Sequence, residues 1–286
     1  MTREDGSQCN LCPHNCHILP GNTGFCRARG VLSKDGEAGS GVVSLSYGKL
    51  TSIALDPIEK KPLYHFYQGS MIISVGSFGC NLRCPWCQNF HISVAGETDA
   101  EVYEVTAESL VMLAERYIPD GNIGVAFTYN EPLINYEYVR DASQILKERG
   151  LKSVLVTNGY INPEFFKDLL PLIDAMNIDL KGIYSDFYKK IDGDIAIVQE
   201  NIREAASFCH VELTCLLING LNDSEREMEE LTDFVASVSP EIPLHISRFF
   251  PHHKMKDREP TRIETMKKFE EIARRKLKHV HLGNVR

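Results

Sequence analysis

Nothing in this chain approaches the roughly 18 consecutive apolar residues of a membrane-spanning helix. Its first ten residues, MTREDGSQCN, are polar and lack the apolar stretch of a signal peptide. A basic surplus is missing as well: 31 Lys and Arg against 39 Asp and Glu leave a formal net charge of −8. An acidic chain suits phosphate backbones poorly, so no nucleic-acid partner is expected. There is no internal repeat and no low-complexity segment. A paired set of cysteines is also lacking. Nine are present, and an odd number in a chain without an export signal argues against a disulfide framework. These absences predict a cytoplasmic protein with neither membrane nor nucleic acid among its partners.

What the chain does have is length, alternation and clustered thiols. Its 286 residues suit one barrel-sized domain or two smaller ones and can bury a full core. Residues 1–66 are rich in Gly, Cys and short strand-like pieces. In GVVSLSYGKLTSIAL, Val43, Leu45 and Tyr47 alternate with Val42, Ser44 and Ser46, which predicts a small sheet. From residue 71 apolar runs alternate with helical stretches. Strands are expected at 71–77, 123–128, 153–157, 175–180, 211–218 and 243–249. Helix starts are expected at Thr106, at Asn162 followed by Pro163, and at TRIE (261–264), which has the capping-box spacing. DSEREMEELTDFVASV carries acids in its first turn, as the helix dipole favours. Alternating strand and helix implies a parallel sheet with right-handed crossovers. Six such units across residues 67–286 predict an α/β fold, an open or partial barrel, with a doubly wound sheet as the rival. Residues 1–66 would form a separate Cys-rich, metal-binding region.

Seven of the cysteines fall into two tight groups: Cys9, Cys12, Cys16 and Cys26, then Cys80, Cys84 and Cys87. Cys209 and Cys215 stand apart and read as small core residues. The second group lies in GCNLRCPWCQNF, spaced C-x3-C-x2-C, straight after the first expected barrel strand. That is the C-terminal end of a strand, where barrel enzymes keep their chemistry. Pro85, Trp86 and Gln88 make a poor core segment, which argues against a chance cluster of buried thiols. Structural zinc takes four ligands, and the next cysteine is Cys209, so zinc would need His91. A four-iron cluster is the other answer: three thiolates bind three irons and the fourth iron keeps an open site.

The C-x3-C-x2-C motif, with Trp86 before its last cysteine, resembles that of the radical S-adenosylmethionine superfamily. The resemblance implies a partial (βα)6 barrel with a Cys-rich N-terminal appendage, and a [4Fe–4S] cluster on Cys80, Cys84 and Cys87. In that superfamily the open iron chelates S-adenosylmethionine, and the reduced cluster cleaves its C5′–S bond to release a 5′-deoxyadenosyl radical. TYNEP (128–132) stands where the superfamily carries a Gly-Gly-Glu-Pro motif that receives the methionyl amino group. Tyr129 and Asn130 replace the two glycines, while Glu131 and Pro132 match. NIDLK (177–181) is informative by itself. Strand alternation puts Asn177, Asp179 and Lys181 on one face, whereas a parallel strand is normally apolar on both, so a lined cavity is expected. Activating enzymes of glycyl-radical enzymes, such as that for pyruvate formate-lyase, have a similar Asp-x-Lys near the cofactor. Thr157 and Asn158, in VLVTNGY, would meet the ribose or the methionyl carboxylate, though TNG is also an ordinary strand-to-helix turn. The cofactor-binding set implied is Trp86, Asn130, Glu131, Thr157, Asn158, Asp179 and Lys181. No residue is assigned a catalytic role.

The N-terminal group, CNLCPHNCHILPGNTGFC, has the spacing C-x2-C-x3-C-x9-C with Gly21 and Gly24 in its connecting turn. This predicts a second metal site on Cys9, Cys12, Cys16 and Cys26, holding zinc or an iron–sulfur cluster. Together with TYNEP and the ending HLGNVR it resembles the radical enzyme of the AmmeMemoRadiSam system, a family related to the pyruvate formate-lyase activating enzymes. The ferredoxin-like cysteines that those activating enzymes carry after the radical motif are absent here. HISRFFPHHKM (245–255) is expected at the active face, where His245, Arg248, His252 and His253 either touch substrate or form a solvated basic loop.

The resemblance implies hydrogen abstraction from a protein or a small molecule, with flavodoxin or ferredoxin as the low-potential electron donor. Two rivals remain. One keeps the cofactor but transfers a methyl or aminocarboxypropyl group. The other is a non-catalytic iron–sulfur electron carrier, which leaves TYNEP and the polar face of NIDLK unexplained.

Overall fold

The computed structural model describes residues 6–34, 37–38 and 41–285. Each expected apolar run forms a strand: Met71–Gly76, Asn122–Phe127, Lys152–Thr157, Ala175–Asp179, His210–Leu217 and Leu244–Arg248. A seventh parallel strand, Val280–Gly283, comes from the HLGNVR ending, and Ser52–Pro57 adds an antiparallel edge. In chain order these eight are β1 (Ser52–Pro57) to β8 (Val280–Gly283). Each pairs with its neighbour in sequence, and the order never reverses along the sheet. A doubly wound sheet would reverse at a switch point, so the partial barrel is the architecture. The sheet also draws on residues before 67, because β1 pairs with β2 over all six of its residues.

Six helices of seven residues or more join the parallel strands: α1 (Ala107–Arg116), α2 (Tyr136–Glu148), α3 (Pro163–Leu169), α4 (Ile195–Ala206), α5 (Glu225–Val238) and α6 (Ile263–Arg274), beside the short turns of helix Phe90–Ser93 and Ser185–Lys189. Their apolar residues recur at helical spacing, as in Ala107, Leu110, Val111 and Ala114 of α1, and these are the buried ones. Thr106 caps α1 by accepting from Ser109 N, and Ser224 caps α5 from Glu227 N. The TRIE expectation is corrected. The cap residue of α6 is Arg262, and Thr261 is fully buried with its hydroxyl bonded to the Leu217 carbonyl. A buried hydroxyl beside a free strand carbonyl has a better partner there than at a helix end. Asn162 does precede α3, but its side chain donates to Asn10 O at 2.6 Å instead of capping.

Strand alternation sorts the residues into two sets. Ile73, Val75, Val125, Leu155, Ile178 and Leu213 belong to the main core, where Cys215 is also buried and Cys209 packs half-buried. The other set faces the lumen. On one side Ile72, Ala126, Val154 and Ala175 pack on Ile58 and Leu63, which plug the barrel from below. On the other side the lower lumen is polar. Glu212, fully buried, accepts from Tyr64 N (3.0 Å), His65 N (2.7 Å), His210 Nε2 (2.9 Å) and His245 Nε2 (2.6 Å). Above it Thr214 donates to Asn177 Oδ1 at 2.8 Å.

Before β1 the chain forms short antiparallel ladders, Ser7–Gln8 with His17–Ile18 and Arg29–Gly30 with Val43–Ser44. This region is fastened to the barrel. The buried Arg29 guanidinium forks onto Glu137 of α2 with two bonds of 2.7 Å, and Asn162 N donates to Leu11 O at 3.0 Å.

Candidate functional site

The strand β2 ends at Gly76, and the loop that follows carries Cys80, Cys84 and Cys87. The loop is held from several sides. Asn130 accepts from Ser77 N at 2.9 Å and donates to the carbonyls of Phe78 and Gly79 at 3.1 Å each. Cys80 N donates to Cys26 O at 3.3 Å, and Arg83 N to Ile191 O at 3.0 Å. Gly79 adopts φ +84°, and a Cβ there would stand 2.4 Å from Cys26 O, so the turn requires glycine.

The three thiols line a cavity of about 360 Å3 at the C-terminal ends of the parallel strands. All seven residues expected to contact a cofactor line the same cavity: Trp86, Asn130, Glu131, Thr157, Asn158, Asp179 and Lys181. The inward alternation of β5 explains Asp179, and Lys181 continues that face beyond the strand end. Asn177, on the same face, lies deeper, on Thr214 and on Pro62 O (2.8 Å).

Glu131 is 2% exposed. Its carboxyl accepts from Leu133 N (3.0 Å), Thr157 Oγ1 (2.6 Å) and Asn158 N (2.7 Å). Burial pushes it up to about 7 against those three donors. Pro132 then opens a short 3-10 turn, Pro132–Asn135. Lys181 Nζ pairs with Asp179 Oδ2 at 2.8 Å. Burial opposes the Lys181 charge, but Asp179 and the Cys84 thiol outweigh it and hold Lys181 above its usual range. Burial pushes the Cys84 thiol up to about 11, and Lys181 works against that rise. Asn158 Nδ2 reaches Asn81 Oδ1 at 2.9 Å and Cys80 Sγ at 3.8 Å, which ties the end of β4 to the thiol loop.

The loop of the 245–255 stretch lies against the thiol loop, Lys254 N donating to Pro85 O at 2.9 Å, and the expectation is corrected for His245. His245 is bonded to Glu212 near the start of β7, so it lies in the lower lumen and away from the cavity. Arg248 Nε donates to Thr261 O at 2.7 Å, and His253 stacks on Phe90 at 4.6 Å. Neither these nor the exposed His252 lines the cavity; Ser247 of the same strand does. Lys60, Lys61 and Thr214 also line it, and nothing in their local sequence marks them out; Tyr129 of TYNEP and Asn284 of HLGNVR line it too.

Among the described residues no three His, Cys, Asp or Glu side chains are arranged around a single ion. The thiol loop has no need of that arrangement if it holds a cluster, in which each iron takes its own thiolate. Three thiols on one loop, with polar and acidic groups on the facing strand ends, fit a cluster that leaves one iron free for a zwitterionic ligand. The four N-terminal cysteines lie elsewhere. Cys9, Cys12 and Cys26 are buried and Cys16 partly so, with Cys9 N bonded to Cys16 O at 2.8 Å and Phe25 N to Cys16 Sγ at 3.3 Å.

Comparison with known proteins bears on this site. The family described as the Radical SAM superfamily matches residues 74–235. An uncharacterised protein of Methanocaldococcus jannaschii is 41% identical over 283 residues, 97% of this chain and 81% of that protein. The pyruvate formate-lyase-activating enzyme of Clostridium pasteurianum is 28% identical over 171 residues, 56% of this chain and 67% of that one. A radical SAM methyltransferase from Sphaerobacter thermophilus shares the fold, with TM-score 0.55 at 20% identity over 76% of this chain and 67% of the other. No helix among the described residues is long and apolar enough to cross a membrane. The chain belongs to the radical SAM superfamily and is an enzyme that works with a [4Fe–4S] cluster and S-adenosylmethionine.

Proposed function

We propose that this enzyme cleaves S-adenosylmethionine reductively and takes a hydrogen atom from a protein or small-molecule substrate. Cys80, Cys84 and Cys87 hold the cluster. When bound and reduced, the cluster would supply the one electron for cleavage of the C5′–S bond, the source of methionine and of the 5′-deoxyadenosyl radical that takes the hydrogen. The chain supplies position and charge. Glu131 receives the methionyl ammonium, and Asp179, held by Lys181, sits beside it. Thr157 and Asn158 meet the ribose or carboxylate, Trp86 walls the site, and Asn130 keeps the thiol loop in place. The observation that carries this reading is the single cavity in which one loop's three thiols meet Glu131 and Asp179 from the ends of β3 and β5.

Flavodoxin or ferredoxin is the electron donor in this reading. Cys9, Cys12, Cys16 and Cys26 hold a second metal centre, zinc or iron–sulfur. Metal analysis of anaerobically purified protein lacking Cys80, Cys84 and Cys87 separates the two, as about one zinc or about four irons. The main test is anaerobic reconstitution, reduction with S-adenosylmethionine and mass analysis of the nucleoside. 5′-Deoxyadenosine is expected, and the triple Cys→Ala variant should form none. Undiminished cleavage in that variant would end the reading. A methylated or aminocarboxypropylated product without 5′-deoxyadenosine would favour the transferase instead.

A further inference from the structure

The cavity has a second pole that this chemistry leaves unused. Lys60 and Lys61 line it from the segment after the edge strand β1, which β2, β3 and β4 separate from β5 with its Asp179. Lys61 is only 3% exposed. Its Nζ donates to Asp56 Oδ2 at 2.9 Å and lies 4.7 Å from the centre of the Tyr129 ring. Tyr129 OH donates to the same oxygen at 2.8 Å, and Lys60 Nζ to Oδ1 at 2.9 Å. Tyr129 itself stands at φ +72°, a conformation unusual for a ring-bearing residue.

Three features point to a ligand. Two ammonium groups share one carboxylate, so the cluster keeps a net positive charge. Asp56 lies behind the cavity lining and already has Lys60 and Tyr129, so it does not need Lys61 for neutrality. An ammonium carries three N–H donors, and Asp56 is the one side-chain or backbone acceptor of Lys61 Nζ among the described residues. With Asp56 on one N–H and the Tyr129 ring face against the ammonium, a buried charge on the cavity lining is left with at least one donor lacking an acceptor, which is costly. Burial pulls Lys61 below its ordinary range while Asp56 restrains the fall. The opposite pole, with Glu131 and Asp179, suits the cationic sulfonium and ammonium of S-adenosylmethionine. A cationic pole does not.

We propose that Lys61 is the substrate anchor of this enzyme, and that the molecule acted on presents an oxyanion, a carboxylate or a phosphate, to its Nζ. Asp56 and the Tyr129 ring fix the ammonium in place. The proposal rests on the S-adenosylmethionine reading for what is acted on, but its test does not use cleavage.

The test is calorimetric titration of the full, cluster-bearing protein without reductant, with and without saturating S-adenosylmethionine. The probes are inorganic phosphate in one series and acetate in the other, which separates the two sources of oxyanion. At least one should bind in the millimolar range, also when S-adenosylmethionine is present. Lys61→Gln should weaken that binding roughly ten- to a hundredfold, since a charge-assisted bond is lost. Lys61→Arg should restore most of it, and Lys60→Gln, which removes the more exposed half of the cluster's positive charge, should weaken it less than Lys61→Gln does. If Lys61→Gln does not fold by circular dichroism, Asp56→Asn combined with Lys61→Gln removes the charges together and is read in its place. Unchanged anion binding in the Gln variant, or no binding of either anion by the unaltered chain, overturns the proposal. So does an equal loss of S-adenosylmethionine affinity, which would assign Lys61 to the cofactor's own carboxylate. Failure to form 5′-deoxyadenosine would instead strike the cofactor reading and leave these titrations standing.

Discussion

Glu131 joins three parts of the site through one carboxyl. It opens the Pro132–Asn135 turn through Leu133 N, holds the end of β4 through Thr157 and Asn158, and lines the cavity. Glu131→Gln therefore does two things. It removes the charge that would receive an ammonium, a bond worth ~1.5–3 kcal/mol, so S-adenosylmethionine affinity should fall roughly ten- to a hundredfold. It also turns one accepting oxygen into an NH2 group, leaving a buried donor unpaired at a cost of about 1–3 kcal/mol in stability. Iron content should be unchanged, because Glu131 is no thiol. Calorimetric titration checks the first and urea unfolding the second, with iron analysis beside them, and original affinity in the variant would remove Glu131 from the cofactor site. Glu131 and Asp179 were legible in the sequence because TYNEP and NIDLK place acids at strand ends. Lys61 was not. Nothing in IEKKP sets one lysine apart from the other, and only the plug of Ile58 and Leu63 beneath the barrel carries one of them indoors.

Among the elements, the strands were legible and the lower lumen was not. A run such as SVLVT announces a buried parallel strand by itself. The contacts of Glu212 come instead from strands and a loop far apart in sequence, and no local pattern joins Tyr64, His210 and His245. His245 was for that reason assigned to the wrong end of the barrel. Thr261 was misread as a cap because spacing carries no information about a neighbouring strand's carbonyl. The polar wall of the lumen has a consequence for acid stability. His281 Nε2 lies 2.8 Å from His65 Nε2, and its ring stacks on His245 at 5.1 Å. Burial, with His245 and His65 beside it and Arg274 nearby, holds His281 down at about 4 against a raising pull from Glu212. A histidine depressed on folding binds its proton more weakly in the native state. Its contribution is fully present above about 6.5 and is lost as the pH falls from there towards about 4. Glu212 acts in the same direction at lower pH: burial opposes its charge, but its four donors outweigh burial and hold it well below the carboxylate range. Urea unfolding should thus show a loss of stability from about pH 7 to about pH 5 that is smaller in His281→Gln. An equal loss in both proteins would remove His281 from the account.

At the scale of the molecule, the N-terminal knuckle and the barrel meet at the thiol loop. Cys26 carbonyl accepts from Cys80 N, the Arg83 guanidinium donates to Phe25 O and lies 4.0 Å from the centre of the Phe25 ring, and His14 Nε2 is 2.8 Å from Asn81 O. His14 also stacks on Phe25 at 4.1 Å, so one aromatic pair from the knuckle rests on the loop that presents Cys80 and Cys84. A metal centre on Cys9, Cys12, Cys16 and Cys26 would therefore brace that loop as well as order its own segment. Gly79 is the place to test this, because it separates backbone strain from contact. Gly21 and Gly79 both sit at positive φ, +78° and +84°. An added Cβ meets nothing within 4 Å at Gly21, but at Gly79 it would stand 2.4 Å from Cys26 O and 2.9 Å from Ala28 Cβ. Both Ala variants bear the left-handed cost of ~1–2 kcal/mol, while only Gly79→Ala must also push the knuckle off the loop. Gly79→Ala should accordingly lower the iron held by Cys80, Cys84 and Cys87 and expose the four N-terminal thiols to alkylation. Gly21→Ala should leave iron content unchanged. Equal iron in the two variants, with the knuckle thiols equally protected, would mean that the loop keeps its shape without the knuckle.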